Sequence, residues 1–243
     1  LSPQVIVVDA QGRVRPVADG SGEIRVSLGS SNRVIPVQVS GCANPRPISF
    51  AQEIIPVLTK ASCNRGGCHG KAEGQQGFKL SVFGFDARAD YEALVAEGRG
   101  RRIFLSAPEQ SLILTKGTGE VPHGGGKKLD RDSHHYRRIA RWLREGARFE
   151  TVTVPPVVRL EIEPRERVLG FQSTQQLRVT AIDADGHRRC VTAEAEFDTN
   201  ASLIAGVAGD GLIRTGDRPG EAAILARFMG QVTVCRVTIP RPV

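Results

Sequence analysis

Large aromatic side chains are scarce: they make up 5% of 243 residues, with nine Phe, two Tyr and one Trp. A chain this poor in rings fills at least one core with aliphatic side chains, or with something that the sequence does not encode. Methionine occurs once, at Met229. No apolar run approaches the roughly 20 residues that a membrane-spanning helix needs, and no charged-then-apolar leader opens the chain. The chain starts at Leu1 and not at Met, so it reads as a piece of a longer polypeptide. Its length suits two or three modules of about 100 residues each.

The net charge is +7, and it is uneven: residues 46 to 150 carry 18 basic against 12 acidic side chains. A basic middle suggests nucleic acid only when a stripe of charge comes with interleaved aromatics or a base-reading motif. Neither is present, so nucleic acid is not an expected partner.

From 157 to 240 the chain alternates apolar and polar residues as half-buried strands do. Val158, Leu160 and Ile162 are expected on one face, as are Leu177, Val179 and Ala181. Short strands separated by Gly/Asp turns imply a β-sandwich. The first 41 residues repeat the second half of that region, since "VVDAQGRVRPVADGSGEIRVSLG" follows the same order as "GVAGDGLIRTGDRPGEAAILARFMG". The start of the chain therefore reads as the later half of a sandwich with open strand edges. Between these lies helical texture: "SFAQEIIPVLTKAS", N-capped by Ser49 and delayed or kinked by Pro56; "ARADYEALVAEG"; "EQSLILTK"; and "DSHHYRRIARWLREGARF", with Tyr136, Ile139, Ala140, Leu143 and Ala147 on one face. The segments "CANPRP" and "TVTVPP" read as its linkers.

Residues 62–70, "SCNRGGCHG", place Cys63 and Cys68 five apart and directly before His69. Four readings fit these residue types. A disulfide would close a tiny loop and leave His69 without a role. A structural zinc site would want a fourth ligand at recognisable spacing. Two exposed thiols could sit there by chance. In the fourth reading both thiols form thioethers with haem vinyl groups, and the histidine after the second cysteine ligates iron. The usual attachment spacing has two residues between the cysteines; here there are four, and Gly66 and Gly67 would let the extra pair loop outward. Cys190 and Cys235 would be bridged only if their strands are neighbours, and Cys42 is the odd thiol.

The strings "FAQEIIPVLTKASCNRGGCHG", "GFKLSVFGFD", "PEQSLILTKGTGEVPHGGGKKL" and "RWLREGA", in this order, resemble the planctomycete-type cytochrome c domains. Residues 176–239 resemble bacterial Ig-like domains of the adhesin-associated group, which often stand beside them. The resemblance implies Cys63 and Cys68 as haem anchors and His69 as the proximal ligand of one haem c. Where that family commonly reads Met-Pro-Pro, this chain has Val121, Pro122 and His123, so His123 is expected as the distal ligand, on a glycine-flanked loop. Phe50, Leu58, Phe78, Leu80, Leu105, Leu112, Ile113, Leu129 and Trp142 are candidate pocket walls or ordinary core, and Lys127 and Lys128 are candidate propionate partners. His134 and His135 read as solvated residues of a helix start, and His187 as a surface residue.

The expected fold is therefore multidomain: half an Ig-like domain over 1–42, an all-α cytochrome c-like haem domain over 46–150, and a complete Ig-like β-sandwich over 156–243. The expected function is electron transfer in an extracytoplasmic compartment, because iron closed by two histidines has no open position for a substrate. No catalysis is expected of this chain itself. A basic face of Arg131, Arg137, Arg138, Arg141 and Arg144 favours an acidic redox partner. Two other classes stay open: a haem enzyme or ligand sensor with a labile His123, and an adhesive module without haem.

Overall fold

A computed structural model describes residues 3–9, 12–150 and 154–241. The chain divides into two units, Leu1–Pro47 and Ile48–Val243. In the first, β1 (Ile6–Val8) pairs antiparallel with β2 (Val14–Pro16), and β3 (Gly20–Leu28) with β4 (Ser31–Val39).

The second unit opens at Ser49, whose Oγ accepts from the Gln52 amide at 2.9 Å and starts a wide turn over Phe50–Ile54. This turn runs into α1 (Ile55–Lys60), with Pro56 in the first turn of α1. Asp86 caps α2 (Ala87–Val95), α3 (Leu112–Thr118) ends on Gly119, and Ser133 caps α4 (His134–Arg144). The stripe Tyr136, Ile139, Ala140 and Leu143 of α4 is buried as its periodicity requires. Phe50 packs at 5.3 Å from both Tyr91 and Trp142, so these rings form an ordinary core.

Ten strands follow: β5 (Val157–Glu163), β6 (Glu166–Val168), β7 (Thr174–Gln176), β8 (Arg178–Asp183), β9 (Arg188–Cys190), β10 (Glu196–Thr199), β11 (Ala205–Val207), β12 (Leu212–Thr215), β13 (Gly220–Phe228) and β14 (Gln231–Ile239). They form sheets of order β5-β8-β9, β10-β13-β14-β6 and β11-β12-β7 around one core that includes Leu160, Ile162, Val179, Ile224 and Val237. The alternation expected at the start of β5 is broken, because a bulge between Val157 and Arg159 buries Val157 and leaves Val158 51% exposed. Cys190 and Cys235 lie in different sheets, and both are free thiols.

The internal repeat holds at the level of register. Gly20↔Val39 through Leu28↔Ser31 in the first hairpin match Gly220↔Ile239 through Phe228↔Gln231 in the second. Gly20 and Gly220 hold φ of +147° and +146°, and a Cβ would meet Val5 at 3.3 Å in one and Ile204 at 2.7 Å in the other. The burial of the two hairpins differs. Ala226, Phe228 and Cys235 are buried, whereas Val26, Leu28 and Ile35 at the same positions of the first hairpin are exposed.

The expected fold class is not the one found. Among the described residues, fourteen strands in several small sheets stand against four α-helices, and the helical residues are not an all-α domain set between two sandwiches. Helices and strands from Ile48 onward form one unit. Polar side chains on the helical segment reach into the sheets, which helical periodicity cannot reveal. The Lys60 ammonium donates to the Ala195 and Gly209 carbonyls, Arg65 pairs with Glu196, and Gln52 donates to the Pro155 carbonyl and accepts from Arg189. Of the second expected linker, residues 151–153 lie outside the described residues. Pro155 and Pro156 are tied by hydrogen bonds to Gln52 and Ala184.

The repeat gives a paired test by chemical denaturation of the full chain. Phe228→Ala is expected to cost about 3–5 kcal/mol, as a buried aromatic does. Leu28→Ala, at the same position of the open hairpin, is expected to stay within about 0.5 kcal/mol.

Candidate functional site

The Cys63–His69 loop is laid down directly from the end of α1. The Cys63 amide donates to Leu58 O at 2.9 Å, and the His69 amide returns to Cys63 O at 3.0 Å, which folds the second cysteine and the histidine back over the first. A Cβ on Gly66 or Gly67 would meet no atom within 4 Å, and neither glycine has a left-handed φ, so the expected glycine bulge is not what shapes the loop. The constrained position is Gly70, where a Cβ would lie 2.3 Å from Asn64 O. Both cysteines are free, so the disulfide reading has no bond to support it. Burial pushes the Cys63 thiol up to about 11, against the field of Lys128, which lowers it.

His69 is held at two points by the segment that follows. Its carbonyl accepts from the Leu80 amide at 2.8 Å, and its Nδ1 lies 3.0 Å from Phe78 O. A carbonyl only accepts, so Nδ1 carries the proton and Nε2 is left as a bare lone pair. His123 repeats this arrangement, with its Nδ1 3.0 Å from Gly126 O and Gly126 at φ +71° closing the turn. The loop carrying it is tied to α3 by Val121 N to Thr115 O and by Lys116 Nζ to Pro122 O. The two imidazoles come together: their centroids are 6.2 Å apart and their planes 10° from parallel. Burial lowers the His69 pKa against the hydrogen bond to Phe78 O, which raises it, and His123, Arg102 and Lys116 act in the same direction as burial.

The two rings stack near each other with Nδ1 of each committed to a backbone carbonyl, so Nε2 is the nitrogen that each can offer to a metal. A compact zinc site fits less well. Among the described residues, no three of Cys63, Cys68, His69 and His123 bring ligand atoms within 4.8 Å of one another.

The other expected site residues scatter. Lys127 pairs with Asp130 at 2.5 Å, while Lys128 is half-buried near Cys63. Of the candidate walls, Phe50, Leu58, Leu80, Leu129 and Trp142 belong to the helical core; Phe78 and Ile113 pack against it, Leu112 is half-buried and Leu105 is 49% exposed. The basic face has internal partners: Arg131 with Glu120, Arg138 with Glu194, Arg141 with Glu145, Arg144 with Glu109, and Arg137 with the Asp132 carbonyl. Pairs exposed to water stabilise by only about 0–1 kcal/mol each, but they cancel much of the field an acidic partner would sense.

Sequence reasoning missed Arg102. It is buried, donates to the Ala93, Glu97 and Gly77 carbonyls, and lies 4.5 Å from the Phe78 ring centre, which in turn is 4.6 Å from His69. No motif signals a lone arginine between aromatic and carbonyl partners. His134 and His135 are not solvated helix-start residues either. His134 Nε2 donates to Glu194 Oε1 at 3.2 Å, and the buried His135 Nε2 has no hydrogen-bond partner. An orphaned buried group of this kind costs about 1–3 kcal/mol.

The comparisons with known proteins bear on the start of the chain. Residues 1–41 match the bacterial Ig-like domain. The match covers the unit with the open hairpin and ends before the cysteine motif. No curated protein matches the chain. No helix among the described residues is long and apolar enough to cross a membrane.

The raised Cys63 pKa has a direct readout. In the reduced chain without haem, iodoacetamide should label Cys63 slowly at pH 8 and faster as the pH climbs through 10 toward 11, followed by mass spectrometry of its peptide. Rapid labelling at pH 8 would place this thiol in water instead.

Proposed function

We propose that the chain holds one haem c and serves as an electron-transfer module of a larger extracytoplasmic protein. The observation that carries this reading is the His69–His123 pair, near-parallel at 6.2 Å, with both Nδ1 atoms on backbone carbonyls. Cys63 and Cys68 would hold the haem through thioethers, and His69 and His123 would ligate its iron. The four strings resembling planctomycete-type cytochrome c domains, and the Ig-like match at residues 1–41, support the same reading. When bound, the haem supplies one-electron redox chemistry.

The protein's own contribution is positional. Phe78 O and Gly126 O fix the tautomers and orientation of the two imidazoles, in the way outer-shell acceptors orient histidine ligands. Two strong nitrogen ligands leave no open position for a substrate, which favours electron transfer over catalysis. Replacing the family's methionine with His123 sets a lower potential than a His/Met site has. Arg102 and Lys116 bring positive charge toward His69. Thioether attachment and the Ig-like start of the chain both suit a compartment outside the cytoplasm. The redox partner is another protein or domain.

Haem staining after denaturing electrophoresis tests attachment: a stained band is expected, lost when Cys63 and Cys68 are both changed to Ala. Haem that acid acetone extracts would sink the proposal. The axial pair has its own test. His123→Met is expected to keep a low-spin spectrum and raise the potential, and His123→Ala to give a high-spin or ligand-binding haem. An unchanged spectrum in His123→Ala would remove this residue from the iron.

A further inference from the structure

His134 and His135 are some sixty residues from Glu194 along the chain, yet the three offer ligand atoms within 4.8 Å of one another. The first two are the opening residues of α4, and the third lies in the turn between β9 and β10. From this geometry we infer a second metal site, for a divalent ion of the zinc class, built where the helical segment meets the sheets. It is independent of the haem reading.

Three observations carry it. The His135 Nε2 is buried and bonded to nothing, although its ring sits 3.8 Å from that of His134. Such an atom in an otherwise satisfied neighbourhood calls for a missing partner, and a cation accepts the lone pair that a neutral imidazole carries. The separation of His134 Nε2 and Glu194 Oε1, 3.2 Å, is close to the roughly 3.3 Å edge of a tetrahedron with bonds of about 2 Å. Arg138 orients Glu194, with NH1 2.8 Å from Oε1, as an outer-shell partner orients a ligating carboxylate.

The charge count permits a cation. Arg138 is shared between Glu194 and Glu53, the latter at 3.8 Å, so two carboxylates face one guanidinium. Lys60 and the N-terminal end of α4 oppose the ion, which sets the affinity below that of an all-cysteine structural site. Ligation through Nε2 requires the other tautomer of His134, so the proton that it now donates to Glu194 moves to Nδ1. Nitrogen and carboxylate donors suit zinc, and three protein ligands leave a fourth position for water.

The test is equilibrium dialysis of the full chain against Zn2+, in a Cys63→Ser/Cys68→Ser background so that thiols do not contribute. One zinc per chain is expected. Its Kd should rise about tenfold or more in His135→Ala and in Glu194→Gln and stay unmoved in His123→Ala. Zn2+ should also raise the thermal midpoint of the parent but not of these two variants. If His135→Ala does not fold, His135→Gln replaces it, keeping a polar side chain in the space. Absent uptake, binding that survives the loss of His135, or binding that vanishes with His123→Ala would each overturn the site. Failure of the haem reading shows separately, as loss of staining in the unmodified chain.

Discussion

A half-buried ammonium must find acceptors on every side it turns from water. Lys60 closes α1 and finds them in the Ala195 and Gly209 carbonyls of the sheet region, while Phe197 offers its ring face at 5.3 Å. Burial lowers its pKa, and the carboxylates of Glu196, Glu194 and Asp210 oppose that shift. Because the Cys63 loop begins three residues later, the anchor fixes where the motif starts, and Arg65 on Glu196 fixes it again inside the loop. The cysteine–histidine site is therefore held by strands as much as by helices. That is the physical reason helices and sheets from Ile48 onward make one unit.

Burial acts on two of the imidazoles: it lowers the His69 pKa against the hydrogen bond that Nδ1 gives to Phe78 O, and together with the neighbouring His134 it pushes that of His135 down to about 3. The cations in reach are engaged elsewhere: Arg102 on carbonyls, Arg138 on carboxylates. A basic middle segment thus reflects pairing within the unit more than a surface prepared for a partner.

The two hairpins show how little local sequence says about burial. They share register, length and the unusual φ of Gly20 and Gly220, so local rules build the same object twice. One face is covered by strands packed over it and the other is open, and a two-stranded ribbon alone is marginal in water. What lies over a hairpin is a long-range fact, and it decides whether Phe228 or Leu28 matters to stability.

The sequence by itself determined the cap at Ser49, the placement of Pro56 at a helix start, the buried stripe of α4, the order of the repeat, and the closeness of Cys63, Cys68 and His69 along the chain. These follow from periodicity and from side chains that act within a few residues. It also singled out His123, because a histidine stands where a resembling family has another ligand. Only the tertiary structure decided that the helical segment is fused to the sheets, that a bulge turns Val158 outward, that Arg102 lies beyond Phe78 from His69, and that Glu194 reaches His134 across sixty residues. Each of these rests on a polar side chain or a slip of register meeting a partner far along the chain, and neither hydrophobic period nor motif spacing carries that information.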